Sequence, residues 1–146
     1  MPKKHRIIID TNLWIHFLIS KKFDFIDNLL ENGSVQLIFC WELLDEFMEI
    51  AQRPKLKRYF TEAKLKLIST IIERYAVFLP VTSTVTLCRD AKDNFLLALA
   101  KDTRANYLIT GDKDLLIIKK FEDTQIVTIA EYIVERQSFT TKNIKL

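Results

Sequence analysis

The sequence predicts an α/β fold built on a central parallel sheet of four to five strands. Two observations carry that reading. Short apolar runs alternate along the chain with longer stretches of helical period. The runs show no in–out alternation of their own, as expected of strands covered on both faces. A third observation confines the fold to one unit: 2 glycines and 3 prolines among 146 residues leave little material for linkers or low-complexity tails. The whole chain, 1–146, therefore reads as one domain with a core over about 6–135, and 136–146 as a short C-terminal tail.

The elements follow in order. Residues 7–9, three β-branched isoleucines, predict a short buried strand, and 13–18 a helix. Residues 23–31 predict a second helix, stopped by Asn32 and Gly33. Val35–Phe39 predict a strand and 42–53 a helix closed by Pro54. Thr61 is placed to cap a further helix, in which Leu65, Ile68, Ile71, Ile72 and Tyr75 keep the 3.6-residue period. Residues 76–79 predict a strand ending at Pro80. Beyond a polar loop come a helix over 93–104, a strand over 107–110 and a helix over 112–119. A last strand over 125–128 precedes a helix from about 130.

With 49% hydrophobic residues the chain can bury a full core, and no run reaches the ~18 apolar residues of a membrane span. A net charge of +3 permits an anionic partner without demanding one. Cys40 and Cys88 have no metal-ligand spacing and read as buried thiols of a reducing compartment. Lys3, Lys4 and Arg6 precede an apolar run in the manner of a signal peptide, but Asp10, Asn12 and His16 interrupt it. Asn32 to Ser34 match a glycosylation sequon in pattern only. These readings describe a soluble, cytoplasmic protein with no membrane association.

In parallel sheets, ligand sites lie at the carboxyl ends of the strands. Asp10 directly follows the first strand, and an ionised carboxylate there is costly unless something satisfies it. Asp112 follows the strand over 107–110 after Gly111, on the same edge. On the helix over 42–53, at about 100° per residue, Glu42, Asp45 and Glu49 face solvent. Glu46 falls on the rim of the apolar arc and points toward Asp10. Asp93 opens the apolar stretch "DNFLLALA" at a buried helix N-terminus, with Asp90 and Asp114 nearby. Each has a plainer reading: Asp93 and Asp112 as helix caps, Glu46 as a boundary ion-pair residue. Carboxylates converging on one edge repel one another, and a hard divalent cation removes that cost. Oxygen-only ligation suits Mg²⁺ or Mn²⁺, as one or two ions, rather than zinc.

The blocks "IIIDTNLWI", "ELLDEF", "RDAKDNFLLALA" and "YLITGDKDLL" resemble, in order and spacing, the four signature blocks of PIN-domain (PilT N-terminal) proteins. The likeness runs from residue 6 to about 133. It is closest to the branch that holds toxin components of toxin–antitoxin systems, the VapC-like ribonucleases. The resemblance implies a compact three-layer α/β/α sandwich and metal-dependent endonucleolytic cleavage of single-stranded or structured RNA. It carries the family's acidic metal-binding and catalytic positions onto Asp10, Glu46, Asp93 and Asp112. Asp90 and Asp114 match further acids of the branch, and Asn12 matches a small polar residue that holds Asp10 or a water. Hydrolysis would leave a 3′-hydroxyl and a 5′-phosphate, with Mg²⁺ or Mn²⁺ lowering the pKa of a water. A cognate antitoxin and a homodimer are the implied partners, with candidate faces at residues 23–30 and 61–75.

Arg53, Lys55, Lys57 and Arg58, with Tyr59 and Phe60, are candidates to grip RNA phosphates and stack bases, or else form a solvated basic turn. His16 reads as a surface residue. Two rival readings lack the residues they need, and one alternative stays open. A haloacid-dehalogenase-like enzyme would want an aspartate where Asn12 stands, and a receiver domain would need an acidic pair that is missing. A non-catalytic RNA- or protein-binding module of the same fold would not need all four acids.

Overall fold

A computed structural model describes residues 5–20, 28 and 33–144, with side chains through Arg136. Apart from residue 28, the helix expected over 23–31 lies outside the described residues. The strands are β1 (His5–Ile9), β2 (Val35–Phe39), β3 (Ala76–Phe78), β4 (Tyr107–Ile109), β5 (Lys120–Phe121) and β6 (Thr124–Val127). The helices are α1 (Thr11–Ser20), α2 (Trp41–Ala51), α3 (Glu62–Tyr75), α4 (Ala91–Thr103), α5 (Lys113–Leu116) and α6 (Ile129–Ile144), with a 3₁₀ turn at Pro54–Leu56.

The strands form one sheet in the order β3-β2-β1-β4-β6-β5, parallel except for β5, which runs antiparallel to β6. The parallel α/β sandwich is thus as expected, with one more strand than the four to five predicted. The addition is β5, two residues long and too short to leave a periodic signal. Lys119 (φ 64°) and Glu122 (φ 53°) bracket it in left-handed conformations that turn the chain back on itself. The last helix carries the expected tail region with it, remaining helical through Ile144.

The core explains the sequence pattern. Ile7, Ile8, Leu108 and Ile109 are fully buried on the two central strands, and Leu97, Leu99 and Ala100 on α4. Truncating one of these leucines to alanine would cost about 2–5 kcal/mol. Cys40 is buried, and Cys88 only half-buried; both are free thiols. Burial pushes the Cys40 thiol up to about 11.

The topology places the crevice. From β1 the chain moves outward to β2 and β3, then returns to the other side of β1 as β4. The order of strands therefore reverses between β1 and β4, and the carboxyl ends of that pair are where a doubly wound sheet opens. Asp10 and Asp112 follow those two ends.

Candidate active site

The site begins with one hydroxyl. The amide of Asp10 donates to the Ile109 carbonyl at 3.0 Å, extending the β1–β4 ladder by one step. The Asp10 carbonyl then accepts from the amides of Leu13 and Trp14, which starts α1. Thr110 Oγ1 donates to Asp10 Oδ2 at 2.8 Å, and Thr110 Oγ1 itself accepts from the Asp112 amide at 3.0 Å. The second Asp10 oxygen accepts from the Asn12 amide at 3.3 Å. Contact between Asn12 and Asp10 thus runs through the backbone. Burial raises the Asp10 carboxyl above its usual range, opposed by the Thr110 and Asn12 hydrogen bonds; the charges of Glu46 and Asp112 add to the rise.

Asp112 both caps and clusters. Its Oδ1 accepts from the Asp114 amide at 2.8 Å at the head of α5. Carboxylate oxygens of Asp93, Asp112 and Asp114 lie within 4.8 Å of one another. Asp93 is 4% exposed, and its Oδ2 is buried with no hydrogen-bond partner. Burial, and then the Asp112 charge against it, raise the Asp93 carboxyl to about 6.

The capping reading of Asp93 is corrected. Helix α4 begins two residues earlier than expected, and Asp90 is its cap, accepting from the Lys92 amide at 2.9 Å. Asp93 stands in the first turn, where capping gives no account of its burial. Asp90 is exposed and turned to that backbone role.

Glu46 is half-buried, while Glu42, Asp45 and Glu49 on the same helix are exposed. Its carboxylate lies 3.2 Å from Lys92 Nζ and is not one of the close trio. Across the site, Arg89 lies 3.4 Å from Asp114. Among the described residues, Lys92 and Arg89 are therefore the cations paired with these acids, and the sequence reading missed both. They stand inside the block "RDAKD", but only the folded chain shows which acids they meet.

The expected basic segment is otherwise engaged. Arg53 lies 3.9 Å from Glu49, and Arg58 covers the Tyr59 ring at 4.7 Å and donates to its hydroxyl. Lys55 and Lys57 are exposed. Phe60 cannot stack a base: it is 3% exposed and packs edge-on against Phe47. His16 is exposed, as expected, yet it lines the open cleft with Asp10, Asn12, Leu13, Gly111 and Asp112. A Cβ built at Gly111 meets nothing within 4 Å, so that wall is open.

A three-layer α/β sandwich with acids gathered at its switch point defines a PIN-like architecture. The PIN domain family model matches residues 6–114, and the chain belongs to that family. Among solved structures the chain is similar to the PIN domain endonuclease Utp24, with 21% identity and a TM-score of 0.52. That match covers 85% of this chain and 84% of the other, and it shows the fold. No curated protein matches the chain. Family membership supports a function of the nuclease type. The donor set fits a divalent cation: the ligand atoms are all carboxylate oxygens, and one of them is buried without a partner. Among the described residues, no helix is long and apolar enough to cross a membrane.

Proposed function

We propose that the chain is a metal-dependent endoribonuclease that hydrolyses RNA phosphodiester bonds with Mg²⁺ or Mn²⁺ held by Asp93, Asp112 and Asp114, joined by Asp10 and Glu46. The observation that carries this reading is Asp93: a carboxylate 4% exposed, with a bare oxygen and two further carboxylates beside it. Burying such a group without a counter-charge costs several kcal/mol, and hydrogen-bond donors would relieve it more simply if its role were structural. A divalent cation bound here supplies positive charge to the scissile phosphate and lowers the pKa of water.

The chain's own groups do the positioning. Thr110 fixes the Asp10 carboxylate, and Lys92 holds the Glu46 carboxylate on the rim of α2. Hydrolysis forms a bond from the water oxygen to phosphorus and breaks the bond to the 3′ oxygen, which leaves with a proton. The products are a 3′-hydroxyl and a 5′-phosphate. Within this reading the single domain acts in the cytoplasm as the toxin of a toxin–antitoxin pair. The resemblance of the four blocks to those of VapC-like proteins supports that role. Leu67, 60% exposed on amphipathic α3, supports a protein partner there, an antitoxin or a second copy.

The test uses the purified full chain with single-stranded and hairpin RNA. Cleavage in Mg²⁺ or Mn²⁺ that stops with chelator and in Asp112→Asn is the expected result. A folded wild-type chain that cuts neither RNA in either metal overturns the proposal. Growth arrest on induction, absent for Asp112→Asn, tests the toxin role separately.

A further inference from the structure

The chain has 2 tryptophans, and the fold treats them oppositely. Trp14 is 6% exposed in the core, whereas Trp41 is 66% exposed. An aromatic ring of this size favours burial strongly, so the chain's own packing does not account for an indole left mostly in water. Nor is its orientation loose. Trp41 lies against Phe78 with ring centroids 4.6 Å apart and an interplanar angle of 31°. Phe78 in turn contacts buried Phe39, and Phe39 contacts Trp14. A ladder of four rings thus leads from the core to the surface, and its outermost member is mostly exposed.

Position gives that ring a purpose. Trp41 comes two residues after the end of β2, and Phe78 is the last residue of β3, its register partner being Phe39. β2 lies beside β1, whose end carries Asp10. Along the sheet edge the sequence is therefore Phe78, Trp41, Asp10, Asp112. With strands about 4.8 Å apart, the backbone at Trp41 is about one strand spacing from that at Asp10 and about two from that at Asp112.

We infer that Trp41, braced by Phe78, is a stacking platform for one unpaired base of the RNA, next to the scissile phosphate. The inference rests on the nuclease reading and narrows its substrate to RNA that is single-stranded at the cut. A base inside a duplex has both faces covered, whereas an unpaired base can lie flat on an indole. Because Phe78 already holds the ring, little rotamer freedom is lost when a base settles on it. Trp41 is a positioning residue in this scheme and touches no reacting atom.

Binding is measured on the full chain in chelator, which prevents cutting, with a labelled 12-nucleotide oligouridine and with a blunt RNA duplex. Oligouridine should quench the fluorescence of Trp41, since Trp14 is sealed in the core. Trp41→Ala should weaken oligouridine binding about tenfold and leave duplex binding unchanged, while Trp41→Phe keeps most of the affinity. With metal present, Trp41→Ala should raise KM and leave kcat nearly intact. Oligouridine binding equal to wild type in a folded Trp41→Ala overturns the inference. So does loss of self-association as the only effect of the substitution, which would make the indole a contact between copies. Quenching without cleavage in either metal would sink the nuclease reading and leave the platform standing. Cleavage with KM unchanged in Trp41→Ala would do the reverse.

Discussion

The two ends of α4 hold two aspartates with opposite fortunes. Near the C-terminus, Asp102 accepts from the Thr82 amide at 2.6 Å, the Ser83 amide at 2.9 Å and the Thr82 hydroxyl at 3.3 Å, as well as from the Ser83 hydroxyl. The Ser83 hydrogen bonds, chiefly, hold its carboxyl down at about 2. In the first turn, Asp93 has an oxygen with no partner, and its carboxyl sits at about 6. The helix dipole would favour the reverse order, since it stabilises anions at the N-terminus by about 0.3–1 kcal/mol. Burial and a neighbouring charge outweigh it at one end, and hydrogen bonds outweigh it at the other. The fold can saturate a carboxylate where the task is to strap the loop after β3 to the helix. At Asp93 it does not, and that deficit is what a cation would fill.

Substitutions should separate the two ends, most widely in activity. Asp93→Asn and Asp112→Asn should lower RNA hydrolysis in Mn²⁺ by roughly 10²-fold or more, about 2.7 kcal/mol of transition-state stabilisation, and Glu46→Gln should do likewise. Asp102→Asn, assayed well below its melting temperature, should cut at close to the wild-type rate. Steady-state kinetics on one RNA checks all four, and equal losses at Asp93 and Asp102 would erase the distinction.

Next in size is the thermal response. Mg²⁺ or Mn²⁺ should raise the melting temperature of the wild type, since a ligand bound only by the native state stabilises it. That rise should vanish in Asp10→Asn, Asp93→Asn and Asp112→Asn. In chelator, Asp93→Asn should melt above the wild type, relieved of a buried charge. Asp102→Asn should lose about 1–2 kcal/mol with its hydrogen bonds yet keep the metal response. A metal-induced shift that survives in Asp93→Asn would misplace the site.

The pH dependence in chelator should carry opposite signs. Folded Asp93 holds its proton up to about 6 against an ordinary 3.8, so its contribution is fully present below 3.8 and is lost as pH rises through 6. The raised Asp10 acts in the same direction. Folded Asp102 stays ionised down to about 2, so its contribution is present above 3.8 and is lost as pH falls toward 2. Melting curves across pH 2–7 should show the upper loss reduced in Asp93→Asn and the lower one reduced in Asp102→Asn. The smallest effects belong to Glu42→Gln and Glu49→Gln, on the solvent side of α2. Each should change stability by less than about 0.5 kcal/mol and leave turnover intact, as unfolding titrations and the same assay would show.

Much of this was legible from periodicity, because buried parallel strands are short apolar runs with sharp ends. Val35–Phe39 forms β2 at its expected bounds, and Thr61 caps α3 through a 3.2 Å bond from the Lys64 amide. The rim position of Glu46 follows from helical geometry alone, and the half-buried side chain agrees with it. What was missed was set by contacts that leave no periodic signal. The start of α4 is fixed by Asp90, but Asp and Ala at 90 and 91 look like loop until the cap is seen. Thr82 and Ser83 meet Asp102 across about twenty residues. Phe60 looks available for a base until Phe47 is found against it.

Thr110 has a consequence for anyone wishing to rebuild such a centre. One hydroxyl donates to Asp10 and accepts from the amide of Asp112, and the three residues need only two neighbouring parallel strands. The spacing between those two acids is thus set by a part list that any doubly wound sheet could accommodate. Serine would keep both bonds; valine, the same shape, would keep the packing and cut the tie. A graft carrying the aspartates without the hydroxyl would have the right chemistry on a loosened frame, and an error of about half an ångström is what such constellations tolerate.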